Sequence, residues 1–180
     1  MDGDFGAALN AWHELFAAVA GVSGTLVGLL FVALGLNPRI MADDSPAGLR
    51  VWSGLTFHNF LALLAIGLAG LAPSDDGGTL AGTVAVLGVT GIYRVGRDFT
   101  RARTDPDPSW RGMSALLRFA APAIAYVFCL VLAYGIWRQD ADALNWFIPI
   151  MFLLTIGAAS SCWDLLKAVG DIHREERAAD

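Results

Sequence analysis

Charged residues are scarce in this chain of 180 residues, and this scarcity indicates its class. Only 16% of the residues are charged and 56% are apolar, whereas a soluble domain has about 25% and about 45–50%. The mean hydropathy is +0.55. The net charge of −5 counts against a nucleic-acid-binding protein. The composition therefore favours a protein surrounded by lipid over one with a larger water-soluble core.

Motifs that carry chemistry are also missing. The two cysteines, Cys129 and Cys162, cannot form a disulfide framework and make no CxxC motif. The chain has no GxSxG, HExxH or P-loop motif. His13 and His58 are predicted to lie on opposite sides of a membrane, so they cannot bind one haem together. We therefore assign no catalytic residue, no metal site and no cofactor, and we expect no enzymatic activity.

Long apolar runs are what the chain has instead. A membrane-spanning helix needs about 17–25 mostly apolar residues, and five stretches qualify. They are residues 15–36, 51–72, 80–97, 115–137 and 146–166. The third is the weakest, because Arg94 lies inside it. The loops are short, so we predict one integral membrane domain over residues 1–180, an all-α bundle of five transmembrane helices with a C-terminal tail at 167–180.

The basic residues predict the orientation of these spans. Eleven of the twelve lie in the first loop, in the third loop with its flanks, or in the C-terminal tail. Because cytoplasmic loops carry the excess of Lys and Arg, we expect the N-terminus outside and the C-terminus in the cytoplasm. This alternation requires an odd number of spans. The expected location is the inner (plasma) membrane of the cell.

Small residues mark one face of the first span. They recur at helical intervals, with Phe31 at the remaining step; the members are Ala17, Gly21, Gly24, Gly28 and Gly35. Gly24 and Gly28 form a GxxxG pair. Since helices in lipid associate through close contact at small residues, this is a predicted helix-packing face. Packing within the chain and packing between chains both remain open.

The second span carries two adjacent faces of polar and small residues. One consists of Thr56, Asn59, Leu63, Gly67 and Gly70, and the other of His58, Ala62, Ala65 and Ala69. Both patterns are typical of protein-facing surfaces in membrane helices. We therefore predict that this helix lies at the centre of the bundle.

Ionisable and polar residues collect near the predicted inner ends of the spans. The predicted cluster consists of His58, Asn59, Arg94, Arg118 and Asp164. Ionisable groups within a membrane are costly and are candidates for function. One interpretation is an ion or proton site at His58; the other is a buried His–Asn pair with arginines that extend to the interface. We expect Asp164 to pair with Arg94 or Arg118, because an unpaired carboxylate would be costly there.

The stretch from Trp12 to Ile40 reads WHELFAAVAGVSGTLVGLLFVALGLNPRI. It resembles the opening of a set of small, uncharacterised bacterial multi-spanning membrane proteins, which share a Trp-His-acid-aromatic start, a small-residue stretch, GLLFVAL and an Asn. Some of them are labelled modulator of the FtsH protease, a membrane-bound quality-control enzyme. The resemblance covers about the first third of the chain, and it implies a bacterial membrane protein without transferring an active-site residue.

Three hypotheses for function follow from these features. The leading one is a non-enzymatic regulatory or accessory subunit that acts by helix–helix association, as a homo-oligomer or with a membrane protein partner. The second is a homo-oligomeric ion channel or small transporter that uses the polar cluster. The third is a membrane enzyme that acts on lipid, for which the sequence shows no nucleophile–base pair.

Overall fold

The apolar runs form helices because a backbone at membrane depth must satisfy its hydrogen bonds internally. A computed structural model describes the backbone of residues 2–36, 47–73, 77–104 and 113–179, and the side chains of 5–36, 53–73, 77–101 and 119–163. The described residues are all-α. In chain order, the elements are α1 (Asp2–Ala11), α2 (His13–Leu36), α3 (Ala47–Gly70), α4 (Gly78–Thr104), α5 (Met113–Trp137), a 3-10 helix (Ala141–Trp146) and α6 (Phe147–Ala179).

The predicted number of spans is confirmed in the described residues. Five helical segments are long and apolar enough to cross a membrane, namely His13–Leu36, Ser53–Gly70, Gly78–Arg101, Phe119–Trp137 and Ala141–Trp163. Each overlaps one predicted span. The α4 segment is the least apolar of the five, yet Arg94 does not interrupt its helix. The chain is therefore an all-α helix bundle of the multi-pass membrane type.

Four of the spanning helices close into a bundle, and the fifth lies outside it. Helix α4 packs against α5, α5 against α6, α6 against α3, and α3 against α4. Helix α2 packs mainly against α3. An apolar groove of about 320 Å³, lined among others by Val22, Leu63 and Phe152, lies between α2 and α6. Near the beginning of α2, the Phe16 ring contacts the Phe147 ring of α6, with centroids 4.8 Å apart. Helix α2 is thus attached to the bundle mainly through α3, with a smaller contact to α6.

Glycines permit the closest helix contacts. A Cβ atom at Gly67 of α3 would lie 2.9 Å from the Ala20 nitrogen and the Phe16 carbonyl oxygen of α2. A Cβ atom at Gly91 of α4 would overlap the ring of Tyr126 on α5. Gly67 belongs to the first predicted face of α3, and all five residues of that face are buried. The prediction that this face is turned toward protein is confirmed.

The N-terminal segment before the first span is also structured, which the apolar runs do not predict. It forms α1, which contacts the 3-10 helix and α2. Its Phe5 and Leu9 side chains are buried. The space beside Gly77 is bordered by Phe5 and Ile136, so α1 covers the end of the bundle where α4 begins and α5 finishes.

Candidate functional site

The small-residue face of α2 points away from the four-helix bundle. A Cβ atom added at Gly21, Gly28 or Gly35 would meet nothing within 4 Å. The bundle-facing side of α2 instead buries Phe16, Val19, Ala20, Ser23, Val27 and Leu30. At 100° per residue the centres of the two faces are about a third of a turn apart. The glycine face is therefore unpartnered within the described part of one chain.

Only the edge of this face touches α3. A Cβ atom at Gly24 would lie 3.6 Å from Leu64 Cδ1, an ordinary contact. The rings of Phe31 and Phe57 pack edge-on with their centroids 5.2 Å apart. The remainder of the face has no neighbour of this kind among the described residues, and it presents bare backbone at Gly21, Gly28 and Gly35.

The predicted polar cluster is placed only in part. The side chains of Arg118 and Asp164 lie outside the described residues, and so does the predicted pairing of Asp164. His58 and Asn59 lie on α3, and Arg94 and Asp98 on α4 interact electrostatically with His58. Arg94 is exposed. Asp98 accepts hydrogen bonds from Nε and Nη2 of Arg97, both at 3.2 Å.

Tyr126 is the residue that completes the described part of the cluster. Its hydroxyl donates a hydrogen bond of 3.0 Å to Asn59 Oδ1, and both residues are fully buried. Its ring lies 5.9 Å from the His58 ring, centroid to centroid. The sequence prediction of the polar cluster did not include Tyr126. A tyrosine in the middle of an apolar span could have indicated it, because a buried hydroxyl needs a hydrogen-bond partner.

Two buried atoms of the cluster have no hydrogen-bond partner among the described residues. They are His58 Nε2 and Asn59 Nδ2. Leaving a buried polar group unsatisfied costs about 1–3 kcal/mol, and such a group in a native structure calls for an explanation, such as a water or an ion. In the His–Asn pair predicted from the sequence, Asn59 is therefore buried and His58 partly buried, and each has one buried nitrogen without a described hydrogen-bond partner.

Buried polar side chains are concentrated in one half of the bundle, which we call the arginine-bearing half because Arg94, Arg97 and Arg101 lie at its end. Four of the five buried polar residues of the described set lie there: Ser53, Thr56, Asn59 and Ser161. The opposite half is filled by apolar side chains that are at most 2% exposed, namely Leu63, Ile66, Leu132, Ile150 and Leu154. Within the described residues of one chain, no polar path crosses the apolar half.

Metal-binding and redox groups do not come together in the described residues. Those residues contain no group of three or more His, Cys, Asp or Glu side chains that could hold a metal ion. Cys129 is buried, Cys162 is partly buried, and both are free thiols. No protein-family model, curated protein or solved structure matches this chain.

Proposed function

We propose that this chain is a regulatory or accessory protein of a bacterial plasma membrane that acts by helix–helix association, and that it pairs with a second copy of itself through the glycine face of α2. The observation that carries the proposal is the open space at Gly21, Gly28 and Gly35, where an added Cβ would meet nothing within 4 Å. Glycines on a lipid-facing helix allow the backbones of two helices to approach closely.

A second copy is the occupant that fits this face most simply. In a symmetric dimer the same patch meets itself, so the bare backbone at Gly28 of one copy would receive the ridge of its partner's α2. Among the described residues α2 packs mainly against α3, and no neighbour lies within 4 Å of a Cβ at Gly21, Gly28 or Gly35, so this side of α2 could take such a contact. Membrane helices gain stability mainly from this close packing.

The orientation belongs to the same proposal. The N-terminus would lie outside and the C-terminus in the cytoplasm, because eleven of the twelve basic residues flank one set of span ends. The arginine-bearing half would then be the cytoplasmic half. The resemblance of Trp12 to Ile40 to the proteins labelled modulator of the FtsH protease supports a regulatory role in a bacterial membrane.

A homo-oligomeric channel is the second candidate, favoured by the polar side chains buried in the arginine-bearing half. The apolar residues of the opposite half fill the interior of each bundle. A conducting path would therefore have to run between copies. Ion flux in liposomes tests this candidate by comparing the wild type with His58→Ala, and the absence of flux over a range of ions and pH would contradict it.

The pairing proposal is tested by energy transfer between labelled copies diluted in lipid vesicles. We expect the wild type to dimerise and Gly28→Leu to dissociate at lipid dilutions where the wild type is paired. The leucine side chain would occupy the space beside Gly28 that the partner's α2 needs. Gly24→Leu is a second variant on the same face. Gly82→Leu is the matched control, since Gly82 lies on α4 and is equally open. Equal association of Gly28→Leu and Gly82→Leu would contradict the proposal.

A further inference from the structure

We propose that the arginine-bearing half contains a blind, water-filled pocket in which a buried water molecule hydrogen-bonds to Asn59. This inference is independent of the pairing through α2. Its first basis is Asn59 itself, which is fully buried and whose Nδ2 has no hydrogen-bond partner among the described residues. The other side of the same amide is already engaged, because Oδ1 accepts the Tyr126 hydroxyl at 3.0 Å.

A glycine of α6 lies directly beside this unpartnered donor. A Cβ atom added to Gly157 of α6 would have only two neighbours within 4 Å, namely Asn59 Nδ2 at 3.4 Å and Pro122 Cδ at 3.7 Å. A methyl group would therefore enter this space at ordinary contact distances. Because residue 157 has no side chain, no Cβ covers Nδ2 on the side of α6, and buried waters occupy sites where polar groups lack a protein partner.

Pro122 supplies an acceptor on the same side of the pocket. Proline has no N–H group, so the carbonyl of residue 118, four positions earlier in α5, does not receive its helical hydrogen bond. Waters and neighbouring side chains commonly satisfy the carbonyls that prolines free in membrane helices. Asn59 Nδ2 and Pro122 Cδ border the same position beside Gly157, so a water that accepts from Nδ2 would be placed to donate to this carbonyl.

The route to the pocket runs along the polar face of α3. Ser53, Thr56 and Asn59 are buried and spaced three residues apart, so they form a column about 9 Å long at 1.5 Å per residue. Beyond Asn59 the column meets Leu63 and Ile66, which are at most 2% exposed. The pocket would exchange water with one aqueous compartment only, and it would not conduct across a single chain.

His58 is the second group that this water would reach. Its Nε2 is shielded from solvent and has no partner among the described residues, and water can serve this nitrogen as donor or as acceptor in either tautomer. The charged groups around it are Arg94 and Asp98 of α4, and the Tyr126 ring of α5 lies beside it. The pocket would give His58 proton exchange with one side of the membrane.

Water-edited solid-state NMR of the 13C- and 15N-labelled full-length protein in lipid bilayers tests this proposal. We expect rapid magnetisation transfer from water to Asn59 Nδ2 and to His58 Nε2, and none to the side chain of Ile66. A signal reaching Asn59 from lipid glycerol or acyl protons would overturn the proposal in favour of a lipid occupant. Absence of transfer from both water and lipid would overturn it as well.

Gly157→Ala provides the decisive variant. Its methyl group would fill the space beside Nδ2 without a severe clash, so we expect the water signal at Asn59 to be lost while the bundle remains folded. Gly54→Ala is the matched control, because Gly54 lies on α3 with nothing within 4 Å, and it should retain the signal. An unchanged water signal in Gly157→Ala would show that the water does not lie in this pocket.

Discussion

Replacement of Gly67 by alanine is expected to weaken the contact between α2 and α3. The new Cβ would lie 2.9 Å from three atoms, of which two are backbone atoms, the Ala20 nitrogen and the Phe16 carbonyl oxygen. Carbon contacts are favourable at about 3.5–4.0 Å, so α2 would have to move away by roughly 0.6–1 Å. Overpacking of this kind costs about 1–3 kcal/mol.

Gly54→Ala is the control for this change. Gly54 lies on the same helix, and a Cβ there meets nothing within 4 Å. Both variants gain the same helical preference of alanine over glycine, about 0.5–1 kcal/mol, so their difference isolates the steric cost. We expect Gly67→Ala to be about 1–3 kcal/mol less stable than Gly54→Ala. Unfolding by titration with a denaturing detergent in mixed micelles measures this difference, and equal stabilities would refute the steric argument.

Three further predictions concern other contacts. Tyr126→Phe removes the hydroxyl that donates to Asn59 Oδ1 and should lower the free energy of unfolding by about 1–3 kcal/mol, whereas the exposed Tyr93→Phe should not change it in the same assay. Gly91→Ala would place a Cβ atom in the Tyr126 ring and should destabilise the α4–α5 contact, measured by the same unfolding titration. Phe5→Ala removes a side chain that is 1% exposed and should speed amide hydrogen exchange in α1 while leaving the exchange of the spanning helices unchanged.

The spanning helices could be predicted from the sequence because their signal is local. Each span is an apolar run of sufficient length, and the bilayer imposes helical hydrogen bonding on every such run. The protein-facing side of α3 could be predicted for the same reason. Its polar and small residues repeat along one face, and exposing the polar amide of Asn59 to lipid would be unfavourable.

Helix α1 could not be predicted from long apolar runs. Phe5, Leu9, Trp12 and Phe16 follow one another at intervals of four, three and four residues, which is a helical pattern. The segment is too short and too polar to register as a span. Its burial depends on the end of the bundle that it covers, and only the fold provides that surface.

Which helix packs against each small-residue or polar face could not be predicted from the spacing of residues along one helix. The small residues of α2 predict close packing, but the rotation of the helix decides whether α3 or the surroundings face them. In the structure α3 receives Phe16 and Ala20, and it meets them with its own Gly67 and Gly70. Likewise Tyr126 is 67 residues from Asn59 in the chain, so their hydrogen bond depends on how α5 is rotated against α3.

If the glycine face of α2 is an interface between two copies, cysteine cross-linking in lipid vesicles should join those copies covalently. In a background with Cys129→Ala and Cys162→Ala, Gly28→Cys would place two thiols near the axis of the dimer, within the Cα separation of about 4.4–6.8 Å that a disulfide allows. We expect oxidation to give a covalent dimer for Gly28→Cys and none for Gly82→Cys on the open face of α4. Equal cross-linking at both positions, or none at Gly28→Cys, would contradict the account.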